Sequence, residues 1–143
     1  APARQLGAAL QKTNFLRDLK NDLDDRGRIY LPGIKDRQSI DEAAKKRIEA
    51  EIEEGFKEAL PGIKRMPQAY ILAVYSIYLY YFALFKKIKR LPITALLAER
   101  IRIPDFYKLF LLLKAYFIVH FIWGWIRLKM TSLGRPPRSS SRC

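Results

Sequence analysis

Four oxygen-bearing side chains, Gln11, Asn14, Asp18 and Asp22, recur at steps of 3, 4 and 4 along one stretch of the chain. On an α-helix, at 100° per residue, they fall within an arc of about 80° and stack in a single row. Two carboxylates and two amides in line make a surface suited to a hard cation. Mg²⁺ takes a few carboxylates, keeps several waters and completes its shell with substrate phosphate oxygens. Mn²⁺ is the alternative ion for such an oxygen set. Arg17, beside Asp18, and Arg28, past the next turn, add cations able to make charge-assisted hydrogen bonds to the same phosphates. Asp-x-x-x-Asp alone is more often a solvated helix face than a site. The spacing of the whole segment is what carries the chemistry.

That row needs a helix, and the pattern predicts one from about Leu6 to Asp25, with no Pro and no Gly after Gly7. Leu16, Leu19 and Leu23 lie on its back and can hold it against a core. Gly27-Arg28 ends it, and Tyr30-Leu31-Pro32-Gly33 reads as an extended or turn segment. Ser39-Ile40-Asp41-Glu42 resembles a capping box opening a second helix. There Ala44, Ile48, Ile52, Phe56 and Leu60 share a face, until Pro61-Gly62 interrupts it. A third helix, about Gln68 to Lys89, is apolar nearly all round. Leu91-Pro92 separates it from a short fourth helix through Arg100, and Pro104-Asp105 starts a fifth running from Phe106 to about Lys129. No strand alternation, internal repeat or Gly-rich phosphate loop is present. The reading is all-α, with about five helices in one domain over residues 1–130 and a disordered basic tail over 131–143.

Charge is unevenly spread. Residues 1–60 hold 12 Lys/Arg against 12 Asp/Glu, whereas residues 61–143 hold 15 Lys/Arg against only Glu99 and Asp105, so the whole net +13 lies in the second part. Such an excess favours a polyanion: nucleic acid, an anionic lipid surface or a phosphorylated ligand. Here the basic residues border long apolar-aromatic stretches rather than polar surfaces, and no recognition motif is present, which excludes nucleic acid. Cys143 is the only cysteine, which rules out an internal disulfide and fits a reducing, cytoplasmic setting. His120, alone in an apolar helix, lacks the further ligands a zinc site needs. No Ser/His/Asp or Cys/His grouping can be assembled. The N-terminus, Ala1-Pro2-Ala3-Arg4, has no signal-peptide pattern and reads as starting within a longer protein.

Written out, Gln11 to Pro32 is Gln-x2-Asn-x2-Arg-Asp-x3-Asp-x4-Gly-Arg-x-Tyr-x-Pro, nine fixed identities in 22 residues. It resembles the second aspartate-rich motif of the squalene/phytoene synthase family. The resemblance implies an all-α isoprenoid synthase that joins two prenyl diphosphates head to head through a cyclopropylcarbinyl diphosphate. It implies Mg²⁺ ligation by Asn14, Asp18 and Asp22, with Gln11 and Arg17 supporting the substrate. Phe56–Pro67 and Tyr81–Arg102 resemble the family's C-terminal helices, particularly those of bacterial phytoene synthases. By that likeness Tyr81 and Arg100 face the diphosphate, with Tyr78 and Tyr80 as neighbouring alternatives. Phytoene from geranylgeranyl diphosphate is the implied product, and squalene-type condensation of farnesyl diphosphate the alternative.

The likeness spans residues 4–114 and departs at Pro61 and from Ala115 onward. Relatives also carry a first aspartate-rich motif in an N-terminal half, and nothing here matches it. Asp41-Glu42 and the Glu49–Glu54 cluster read as solvated charge. The expectation is therefore the C-terminal half of an isoprenoid-synthase bundle, needing its missing N-terminal half for activity and associating peripherally with an anionic membrane. The rival is a two-span membrane protein without catalytic activity. Ala69–Phe85 is 17 residues without a charge, and Leu109–Ile126 holds only Lys114. The tyrosines count against it, because they lie along the middle of the first stretch rather than at its ends.

Overall fold

The computed structural model describes residues 1–26 and 40–124. Every described element is helical: α1 (Pro2–Arg26), α2 (Glu42–Lys64), α3 (Gln68–Arg90), α4 (Ile93–Ala98) and α5 (Asp105–Phe117), which continues into a π-helical segment, Ile118–Trp123. The predicted all-α architecture is what is found. Arg28, the Tyr30–Gly33 turn, Ser39 and the 131–143 tail lie outside the described residues.

α1 starts four residues earlier than its periodicity predicts. Pro2 at the first helical position has no N–H to leave unpaired and a φ already set for the helix, and Arg4 and Gln5 donate to Ala1 O. α1 and α2 then run antiparallel at very close range. A Cβ on Gly55 would stand 3.1 Å from Ala9 Cβ and 3.2 Å from Gln5 O, and one on Gly62 would stand 2.4 Å from Pro2 Cβ. Only glycine lets the helices approach so closely. Between these contacts Gln5 donates to Glu58 and Lys12 pairs with Glu51, so charge seals the rim. Ala9, Thr13, Leu16 and Leu19 are buried, as the pattern predicts for the two leucines.

Three expectations for α2 are corrected. Its cap is Asp41, whose carboxylate accepts from Ala44 N at 2.7 Å, while Glu42 accepts from Ile93 N at 3.0 Å instead of reaching back. Pro61 does not end it. The helix continues to Lys64 despite the one bond that Pro61 cannot donate, and Ile63 beyond it is buried in the core. Nor is the acidic cluster all solvated: Glu49 and Lys45 are buried and paired at 2.5 Å. Glu51, Glu53 and Glu54 are exposed, as expected.

α3 supplies the aromatic heart of the core. Tyr75, Tyr78 and Phe82 stack in sequence, and Phe56 of α2 meets Tyr78 and Phe82 edge-on at centroid distances of 5.4 and 5.5 Å, the arrangement the ring quadrupoles favour. α4 stops at Ala98, short of the expected Arg100, and Glu99–Pro104 runs non-helically to α5. α5 was expected as one regular helix. Instead its backbone widens after Phe117, and Trp123 packs on Tyr75 at 4.6 Å. Among the described residues one helix, α3, is long and apolar enough to cross a membrane; the second stretch, Leu109–Ile126, extends outside them. It buries Ile71, Tyr75, Tyr78, Leu84, Phe85 and Ile88 against its neighbours, 28% of its apolar stretch being buried.

Candidate functional site

The predicted row lies on the open side of α1, held there by the burial of Leu16 and Leu19 behind it. Asp18 is its best-defined member. Arg17 approaches one carboxylate oxygen through Nε and Nη2, at 3.1 and 2.5 Å. Arg100 Nε stands 2.6 Å from the other, Oδ1, as an ionic contact outside hydrogen-bond geometry. Asp18 is thus gripped between two guanidinium groups, and its carboxylate raises the affinity of Arg17 for its proton. Arg100 is brought to this position by the stretch after α4, where Ile101 N donates to Arg17 O at 3.3 Å.

Asn14 Oδ1 and Asp18 Oδ1, one turn apart, are buried oxygens with no hydrogen-bond partner. Buried acceptors are nearly always satisfied; Asp18 Oδ1 is met by the Arg100 ion pair, and Asn14 Oδ1 is left as an acceptor that fits a cation. Asp22 follows, half-buried and with no ion pair among the described residues. Gln11 is exposed at the other end of the row. The donor set is therefore hard oxygen, as Mg²⁺ or Mn²⁺ requires. No group of three or more His, Cys, Asp or Glu able to hold a metal exists among the described residues.

Beside Asp18 a cleft of about 550 Å³ opens between α1, α3 and the start of α5, lined by Arg17, Tyr80, Arg100, Arg102, Asp105 and Lys108 among others. Four cations face one acid there, and Lys108 already pairs with that acid at 2.6 Å. Such a cleft suits an anion carrying several charges. The sequence reading placed Arg17 and Arg100 here and named Tyr80 as an alternative to Tyr81, but missed Arg102 and Lys108. Tyr80 lines the cleft, and Tyr81 meets it edge-on at 5.2 Å, so both stand near the site. Tyr78 does not, being buried among Tyr75, Phe56 and Phe82.

An all-α body here sets an acid-amide row beside a cationic cleft, a charge arrangement that suits a phosphorylated ligand. The family model for squalene/phytoene synthase matches residues 1–106, and the chain belongs to that family. Its members are divalent-metal-dependent prenyltransferases that act on prenyl diphosphates. No curated protein and no solved structure matches the chain.

Proposed function

We propose that this chain supplies one metal–diphosphate face of a phytoene synthase-like enzyme, which condenses two geranylgeranyl diphosphates head to head through a cyclopropylcarbinyl diphosphate in carotenoid biosynthesis. The observation that carries the reading is the unsatisfied Asn14 oxygen one turn from the arginine-held Asp18 carboxylate, beside the arginine-lined cleft. Asn14, Asp18 and Asp22 would hold Mg²⁺, and Mn²⁺ would serve in its place. When bound, the ion neutralises the departing diphosphate, so that the allylic C–O bond ionises without protonation of the leaving group.

The chain's own residues do the rest. Arg17 and Arg100, which now grip Asp18, are close enough to turn toward phosphate oxygens, and Arg102 and Lys108 extend the same cradle. Tyr80 and Tyr81 place aromatic rings and phenol groups next to it, and rings of this kind stabilise a neighbouring cation. Gln11 and Arg28 would support the diphosphate from the ends of the motif. The opposing aspartate-rich face that this chemistry uses is not matched by any segment here, and we assign it to an N-terminal half outside these 143 residues. We also place the enzyme in the cytoplasm, at an anionic membrane surface where its long-chain substrates partition.

Two experiments test this. Titration of the chain with diamagnetic Mg²⁺ should shift the NMR signals of Asn14, Asp18 and Asp22 more than those of Asp24, exposed on another side of α1. In an enzyme completed with a relative's N-terminal half, Asp18→Asn should reduce turnover of geranylgeranyl diphosphate at least about 100-fold, far more than Asp24→Asn. Equal effects at the two positions would sink the site. Turnover of farnesyl diphosphate alone would replace phytoene by a squalene-type product.

A further inference from the structure

α5 commits only one side to the body of the protein. Leu111, Ala115 and Val119, the last in the π-helical segment, are buried, while Phe106, Leu109, Phe110, Leu113 and Phe117 stand 54–76% exposed. At 100° per residue those five exposed side chains fall within an arc of about 100°, and Lys114 lies about 40° beyond Phe110, on the rim of the apolar face.

Beside that rim, α3 and α5 part to form a second cleft of about 540 Å³. Leu79, Phe82, Ala83 and Leu111 give it an apolar wall, and Lys86, Lys87, Arg90 and Lys114 give it charge, with no acid in the lining. All four cations are exposed. Lys87 Nζ donates to Arg102 O at 2.7 Å, and Lys86 Nζ sits 4.7 Å from the Phe82 ring centroid. None of the four is ion-paired among the described residues. The aspartate row is not part of this cleft, and only Ile103 and Pro104 line both it and the cleft beside Asp18.

We infer that this face is the membrane-docking surface, with α5 lying in the plane of the leaflet and the α3–α5 cleft receiving the phosphate headgroup of an anionic phospholipid. The inference rests on the proposed membrane-surface location and says which residues make the contact. An apolar face edged by lysine is the pattern of a helix lying in an interface. Unpaired cations against an apolar wall complement a ligand whose phosphate and hydrocarbon are joined in one molecule. A bilayer offers both at once: acyl chains to the exposed phenyl and leucyl groups, and headgroups to Lys86, Lys87, Arg90 and Lys114.

The test is co-sedimentation of the full chain with phosphatidylcholine vesicles, with and without phosphatidylglycerol. Binding should require phosphatidylglycerol. Lys86→Ala, Arg90→Ala and Lys114→Ala should each lower partitioning about fivefold, the equivalent of about 1 kcal/mol per cation at an anionic surface. Lys46→Ala and Arg47→Ala, exposed on α2 outside the cleft, should each change it less than about twofold. Phe110→Ser should weaken binding at both low and high salt. Cleft variants that match the α2 controls, while the protein still binds, would overturn the cleft assignment alone. Equal binding to both vesicle types would overturn the anionic-headgroup assignment, and no binding to either would overturn the membrane-surface reading with it. Self-association in solution that Leu113→Ser abolishes would make a second copy of the chain the occupant, and loss of vesicle binding on adding a relative's N-terminal half would make that half the occupant; either would overturn the inference.

Discussion

The α1–α2 hairpin and the α3–α5 pair join helices in opposite ways. In the hairpin, glycines at 55 and 62 bring two backbones together and charged pairs close the rim, so little of the interface remains open. Around the α3–α5 pair more space remains, and clefts of about 550 and 540 Å³ share the Ile103–Pro104 segment. Both clefts are basic, and only the one beside Asp18 holds an acid. The difference separates two duties. Close packing stabilises and positions the aspartate row, and looser aromatic packing leaves room for anions.

Substitutions can break that contrast if it is wrong. The largest loss is expected where the two packings meet. Phe56→Ala removes a ring that touches Tyr78, Phe82 and Phe85 and should cost about 3–5 kcal/mol in denaturant unfolding. Glu49→Ala leaves the buried Lys45 ammonium with only Glu42 nearby, at 3.5 Å, and should cost about 3 kcal/mol. Gly55→Leu wedges the hairpin and should cost about 1–3 kcal/mol. At the other extreme, Leu113→Gln on the outer face of α5 should change stability by less than about 0.5 kcal/mol. A large loss there would mean that α5 is packed by something else.

Alkaline titration sharpens the contrast within α3. Burial pushes the Tyr75 and Tyr78 phenols above their ordinary value of 10.0. The unfolded chain therefore ionises them first. Their contribution is complete below pH 10 and is lost as pH rises through the higher folded values. Thermal melts should show a falling midpoint above that pH, and Tyr78→Phe should flatten the fall. A slope unchanged in the phenylalanine variant would place the alkaline sensitivity elsewhere.

How much of this is legible in the sequence depends on whether a feature repeats. The Gln11–Asp22 row and the leucines behind it follow helical periodicity, and α1 displays them as read. The cleft beside Asp18 was legible only in part, because Arg100, Arg102 and Lys108 are gathered by a non-helical connection and the first turn of α5. No period links them to Arg17, and resemblance alone picked out Arg100. Lys45 and Glu49 look like any solvated pair four residues apart, since their burial comes from tertiary packing that the local pattern does not encode. Pro61 carries the opposite lesson. A strong local breaker lost to the burial of Ile63 two residues on.

The bond from Ile101 N to Arg17 O has a use as a clock. Ile101 is buried in a stretch with no helix of its own, so its amide is shielded from solvent by that bond and the packing around it. Deuterium can enter only when this stretch lifts from α1, and the same movement would carry the neighbouring Arg100 away from Asp18. The exchange rate of one backbone proton should thus report how often the aspartate is released from its arginine. An added diphosphate that draws Arg100 away should quicken the exchange, and it should do so before any product forms.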